Sequence, residues 1–250
     1  MNQKTNLQKN TETGKSKRET KKNISLRYFP IFGIPIVKTA LPQNQIDELN
    51  NICDEVLNSP EKVDHSNKLA GVIKKGQQVL LPHKHNKDPE KDRTIKVFRK
   101  NIVKLCEAYI SQVTPSDEGS KELWSKYKKE IIQTWIVSQY GNDYNPPHTH
   151  GGVLSGILYL KVPKRISENL DSPDGKLSFQ GWLPYKPEWL MFNQNHSINP
   201  EIGTLYIFPA WLSHQVYPFD FNEERRCISF NLNASLESPI LLITTGLRYL

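Results

Sequence analysis

Residues 145–163 read NPPHTHGGVLSGILYLKVP. From 153 to 162 the stretch is β-branched, aliphatic and aromatic, held between a Gly-Gly pair and Pro163, the pattern of a short strand. Just before it stand His148 and His150. In extended backbone, residues i and i+2 project to one face, so the pair can aim two imidazoles at a single ion. A His-x-His pair alone decides little, because hydrogen-bonded histidines in aromatic surroundings are as ordinary as ligands. Here the pair sits at the mouth of a strong strand.

The same alternation runs outward in both directions. Before this stretch lies 131–140; after it come 176–181, 203–209, 213–217 and 225–232, with 240–247 as a further candidate. Strand 203–209 leads through PAWLSHQVYPF to His214. Pro209 should close that strand's pairing, and the aromatic cluster would wall a dry site. Two imidazoles from one strand end and a third from a distant strand build an open metal site wherever the two strands are neighbours. A second pair, His83 and His85, lies in LPHKHNKDPEKD, where charge is dense; a solvated loop accounts for it.

Upstream the period changes to that of helices. Ile46, Leu49, Ile52, Cys53 and Val56 form one stripe over 45–57, and Ile95, Phe98, Ile102, Leu105, Cys106 and Tyr109 form another. A short third helix is expected within 115–129, an entering strand over 25–41, and a polar loop over 59–92 with a short strand at 77–81. Helices followed by six or seven strands predict an α+β chain whose second half is a sandwich or small barrel. The expected organisation is a disordered basic tail over 1–24, a helical support region over 25–129 and a β core over 130–250, the last two forming one domain.

Eleven residues past His214 comes Arg225, opening RRCISFNL. Alternation puts Arg225, Cys227 and Ser229 on one face and Arg226 on the other. An inward arginine is a costly buried charge unless a carboxylate meets it. No Asp or Glu in the neighbouring strands is an obvious partner, and a ligand carboxylate fits. The competing reading is a surface arginine paired with Glu223 or Glu224. Trp135, Tyr140 and Tyr159 are candidates to line a pocket and equally ordinary core residues.

The net charge of +7 is concentrated in the tail, where seven basic residues oppose Glu12 and Glu19 and carry +5 of it. The folded body is therefore not notably basic, and the tail reads as a solvated segment in preference to a nucleic-acid contact. No apolar run approaches a membrane span. Cys53, Cys106 and Cys227 are odd in number and far apart, which suits reduced thiols in a cytoplasmic protein.

Three blocks in order, NPPHTHGGVLSGILYLKVP, GTLYIFPAWLSHQVYPF and ERRCISFNL, resemble the iron(II)/2-oxoglutarate-dependent oxygenases found in phages and marine bacteria, over roughly residues 130–233. The resemblance implies a double-stranded β-helix (jelly roll) with N-terminal supporting helices. It implies Fe(2+), 2-oxoglutarate as cosubstrate and dioxygen, with hydroxylation as the default outcome. His148 and His214 match the metal histidines, and Arg225 matches the residue that grips the far carboxylate of 2-oxoglutarate. Cys227 stands where relatives often place serine, and Tyr159 joins the cosubstrate pocket. His150 occupies the position where the wider superfamily carries Asp or Glu; it is expected as a third ligand, with a second role behind the ligands as the alternative. The primary substrate stays open among peptide, nucleotide and metabolite. The competing readings are a cupin-like metal-binding or structural jelly roll without turnover, and a three-histidine iron dioxygenase that does not use 2-oxoglutarate.

Overall fold

The computed structural model describes residues 27–31, 33–114, 117–181 and 195–236. The tail expected over 1–24 and the candidate strand at 240–247 lie outside the described residues. The entering strand is a hairpin: β1 (Arg27–Ile31) and β2 (Ile34–Ala40) pair antiparallel on either side of Gly33, whose φ of 77° is a conformation glycine adopts freely. Helix α1 (Gln43–Asn58) buries Ile46, Leu49, Ile52, Cys53 and Leu57, the stripe expected but for Leu57 in place of Val56. Strand β3 (Gln77–Leu80) follows.

Helix α2 (Pro89–Val113) begins inside the stretch expected as loop. Its start is chemically explicit: Asp88 caps it by accepting from the Glu90 and Lys91 amides, and Pro89 sits in the first turn, where no donor is needed. Helix α3 (Glu118–Ser125) is short and buries no residue.

Strands then dominate: β4 (Tyr127–Gln139), β5 (Asn145–His148), β6 (Leu154–Lys161), β7 (Leu177–Gln180), β8 (Asn195–Ile198), β9 (Thr204–Pro209), β10 (His214–Val216) and β11 (Arg225–Leu236), with a one-turn helix α4 (Lys164–Ser167) after β6. They form a seven-stranded sheet, β1-β2-β9-β6-β11-β4-β3, and a four-stranded sheet, β5-β10-β7-β8.

Alternation along the strands sorts the core into two layers. Ile136, Leu158 and Ile228 face the helices and pack with α1 and α2. Val137, Tyr159 and Cys227, one position along, face the smaller sheet and pack with Leu177, Phe179, Phe208 and Val216. Both faces of the large sheet are covered, which is why β6 reads as an almost unbroken apolar run. Each fully buried Ile, Leu or Phe in these layers contributes roughly 1.5–3 kcal/mol. Gly156 on β6 is required by close approach, since a Cβ there would come within 2.2 Å of the Phe230 ring. No helix among the described residues is long and apolar enough to cross a membrane.

Candidate metal centre and carboxylate grip

β5 and β10 are neighbours, and their antiparallel register sets His148 opposite His214. His150 lies two residues past β5, where its backbone N–H donates to the Ala210 carbonyl at 2.8 Å, tying it to the turn between β9 and β10. The ligand nitrogens of the three histidines all lie within 4.8 Å of one another.

Two of the rings are aimed by the same device. His148 Nδ1 lies 2.7 Å from the Pro146 carbonyl, and His214 Nδ1 lies 2.8 Å from the Leu212 carbonyl. A carbonyl can only accept, so each Nδ1 carries the proton and each Nε2 keeps its lone pair for a metal. His150 is placed differently. Its ring stands 5.6 Å from Trp135 and edge-on to His148 at 4.9 Å.

Burial settles the charge of these rings. It lowers the pKa of His214 to about 3, helped by the facing His148 and His150, against a partial opposing effect of the Leu212 carbonyl. His150 falls to about 4 through burial and the nearby His148, and His148 is lowered by burial too. Three neutral imidazoles at neutral pH are the donor set a divalent transition metal takes. Phe208, edge-on to His214 at 4.9 Å, supplies the dry wall the aromatic cluster promised.

Arg225 is fully buried and lines the same cavity, which encloses about 510 Å³ including its mouth. Its Nε donates to the Gly175 carbonyl at 2.9 Å and its Nη1 to Gln139 Oε1 at 2.6 Å. Gln139 is fixed in turn by donating from Nε2 to Asn145 Oδ1 at 2.9 Å. Nη2 has only a long contact of 3.5 Å to the Tyr159 hydroxyl, and the guanidinium lies 5.1 Å from the Tyr159 ring. Cys227 Sγ is 3.9 Å from Nη1. No carboxylate meets Arg225 among the described residues, so a guanidinium is buried with donor capacity to spare.

Arg226 has the opposite surroundings. It faces α1, donates to both Glu224 carboxylate oxygens at 2.7 and 3.0 Å, and pairs with Asp54 at 2.7 Å. The surface pairing weighed for Arg225 is thus made by its neighbour, and alternation had the two arginines the right way round.

Asp143 and His85 serve the fold instead. Asp143, the nearest acid in sequence to His148, is fully buried and accepts from the backbone N–H groups of Lys74, Lys75, Gly76 and Tyr140, which knots two loops together. His85 accepts from the Asp88 amide through Nδ1 and pairs with Glu55, while His83 is exposed. The sequence offered no signal for Gln139 and Gly175 as partners of Arg225; the first follows from the β4–β11 register and the second from a loop.

Residues 133–231 match the model of the family described as "Putative 2OG-Fe(II) oxygenase". No curated protein matches the chain. Solved structures do. A prolyl-4-hydroxylase from Pseudomonas putida is 15% identical, with 78% of this chain and 91% of that one covered at a TM-score of 0.51. A prolyl hydroxylase from Trichoplax adhaerens, in complex with a hypoxia inducible factor peptide fragment, is 14% identical, with 81% and 83% covered at 0.51. AviO1 from Streptomyces viridochromogenes Tue57 is 13% identical, with 82% and 92% covered at 0.52. The structural likeness gives the fold, a double-stranded β-helix, and the family match lies across all three histidines and Arg225. Over residues 133–231 the chain therefore matches the 2OG-Fe(II) oxygenases, enzymes that use Fe(2+), 2-oxoglutarate and dioxygen, and its three clustered histidines fit such a metal.

Proposed function

We propose that His148, His150 and His214 hold one Fe(II), that Arg225 binds the far carboxylate of 2-oxoglutarate with Tyr159 and Cys227 beside it, and that the enzyme hydroxylates a second, primary substrate. The observation that carries this reading is Arg225: a fully buried guanidinium with no acidic partner among the described residues, in the cavity onto which three neutral imidazoles open. Iron, when bound, supplies the activation of dioxygen that couples decarboxylation of 2-oxoglutarate to oxidation of a C–H bond.

The chain's own groups do the rest. The Pro146 and Leu212 carbonyls hold two imidazoles in the tautomer that leaves Nε2 free. Gln139 and the Gly175 carbonyl pin the guanidinium so that Nη2 is left to meet a carboxylate. Phe208, Phe179 and Trp135 keep water from the space between. Residues 25–129 belong with 130–250 in one domain on this reading, supported by the pairing of β2 with β9 and β3 with β4. The three buried, unbridged cysteines suit a cytoplasmic setting. The second reading, a three-histidine dioxygenase without 2-oxoglutarate, draws on His150 in place of a carboxylate but leaves Arg225 unexplained.

The test is an anaerobic titration with Fe(II) and then 2-oxoglutarate. About one equivalent of iron and a weak visible charge-transfer band are expected, with succinate formed on admission of air. Iron binding with neither band nor succinate would leave the second reading standing instead.

A further inference from the structure

Besides Arg225, a second polar side chain lines the cavity, and its oxygen has no partner among the described residues. Gln78, on β3 beside Val137 of β4, is 1% exposed and lines the space with Trp135 and the three histidines. Its backbone is engaged, the carbonyl accepting from the His65 amide at 2.8 Å. Its side-chain oxygen is not: it is buried, and no donor among the described residues reaches it. The place it occupies is made by Gly71, where a Cβ would come within 2.6 Å of Oε1 and 2.8 Å of Nε2. Buried amide oxygens are nearly always bonded, so an unbonded one on a residue that lines a cavity calls for a donor from outside the described residues.

2-Oxoglutarate cannot be that donor. Its two carboxylates and its ketone accept hydrogen bonds and give none, and against an amide oxygen they repel. Water fills such a place in the resting protein, and of the two organic ligands only the primary substrate can replace it with a donor. The rest of the wall sets that substrate's charge. Arg225 is the one charged side chain among the described lining residues apart from the neutral histidines, and it is engaged by the cosubstrate. A substrate ammonium here would add to the positive charge of Arg225 and of a metal held by three neutral imidazoles, and a carboxylate cannot donate to the Gln78 oxygen and is repelled by it.

We infer that Gln78 is a positioning residue for the primary substrate, accepting a hydrogen bond from an uncharged N–H or O–H group next to the C–H bond that is oxidised. The inference rests on the assignment of Arg225 to 2-oxoglutarate.

The test uses the full chain with Zn(II) and 2-oxoglutarate added, and two probe sets: N-acetyl amino-acid N-methylamides, which are uncharged, and the corresponding free amino acids. Binding is detected by saturation-transfer NMR and the best binder is titrated. An uncharged probe should bind more tightly than its charged counterpart. Gln78→Leu should weaken it about tenfold, the effect of stranding one buried donor, with 2-oxoglutarate affinity unchanged. Gly71→Ala should do the same by displacing the amide without removing it, and keeps the test open if Gln78→Leu does not fold. The inference is overturned by the absence of any uncharged binder, by preference for the charged set, or by unaltered probe binding in a folded variant. Loss of 2-oxoglutarate affinity in place of probe affinity also overturns it, by assigning Gln78 to the cosubstrate. Uncharged probes that bind through Gln78 while neither metal nor 2-oxoglutarate binds would leave Gln78 in its role and remove the iron reading alone.

Discussion

Replacing Arg225 by methionine, and separately Arg226, exchanges the same charge for the same kind of apolar side chain at adjacent positions of β11. The surroundings predict opposite consequences. At Arg226 the change strands Glu224, which is largely buried, and leaves Lys161 at 3.0 Å as its remaining counter-charge. Breaking a buried pair from one side costs roughly 3–5 kcal/mol, and the surviving lysine puts this case near the lower end. At Arg225 no anion is left behind. The Gly175 carbonyl and Gln139 Oε1 lose a donor, at about 1–3 kcal/mol each, and this is offset by removing an unpaired buried cation whose desolvation costs several kcal/mol. Stability of the metal-free protein should therefore be nearly unchanged, or higher, in Arg225→Met.

Cosubstrate binding should divide the other way. Two charge-assisted hydrogen bonds at roughly 1.5–3 kcal/mol each give about 3–6 kcal/mol, or a factor of about 10²–10⁴ in the Kd for 2-oxoglutarate. Urea unfolding and anaerobic titration on the same two variants read both quantities. If Arg225→Met costs as much stability as Arg226→Met, or still binds 2-oxoglutarate within tenfold of the parent, the assignment of the cavity to a carboxylate is wrong.

Among the remaining expectations, His148→Ala and His214→Ala should each abolish stoichiometric iron binding while the circular dichroism spectrum is kept; full metal occupancy in either would displace the site. His150→Asp should still bind iron, because it restores two histidines and a carboxylate, whereas His150→Ala should bind it poorly; parent-like affinity in His150→Ala would reduce the site to two protein ligands. The pH dependence of the metal-free protein follows from His214, whose pKa falls from 6.5 to about 3 on folding. The unfolded chain takes up the proton first as pH drops, so stability is full above about 6.5 and declines below it, by up to about 1.4 kcal/mol per pH unit from this residue. His214→Gln should flatten that slope, and an unchanged slope between pH 6.5 and 5 would contradict it.

The long, periodic elements were legible from residues alone because their burial is one-sided or fully apolar: α1, α2, β4, β6, β9 and β11 all carry their pattern in the side chains. Two strands were not. β5 is Asn145–His148, NPPH, where two prolines hide a strand; it is possible because β5 lies at a sheet edge, where missing donors go unnoticed. β8, Asn195–Ile198, is also an edge strand and is mostly exposed, so it carries no apolar alternation. The cluster of three histidines was legible because its members sit at strand ends, and the inward turn of Arg225 because period two separates it from Arg226. Gln139, Gly175 and Gln78 were not, since what singles them out is register, a loop carbonyl and an unmade bond.

The adjacency of the two arginines explains how the fold can keep an unpaired cation inside. β11 lies between β6 and β4, and a slip of one residue along either neighbour would turn Arg226 into the cavity and Arg225 out toward α1. Such a slip would also strip Arg226 of Asp54 and of its contacts with Asn50 on α1, and would part Glu224, two residues before it on the same face, from Ser138 and Lys161. The ion-paired face of β11 thus holds the register that the unpaired face could not hold for itself. By this argument α1 shapes the cavity without touching it: Asp54 and Asn50 fix the outward arginine, and with it which arginine faces inward.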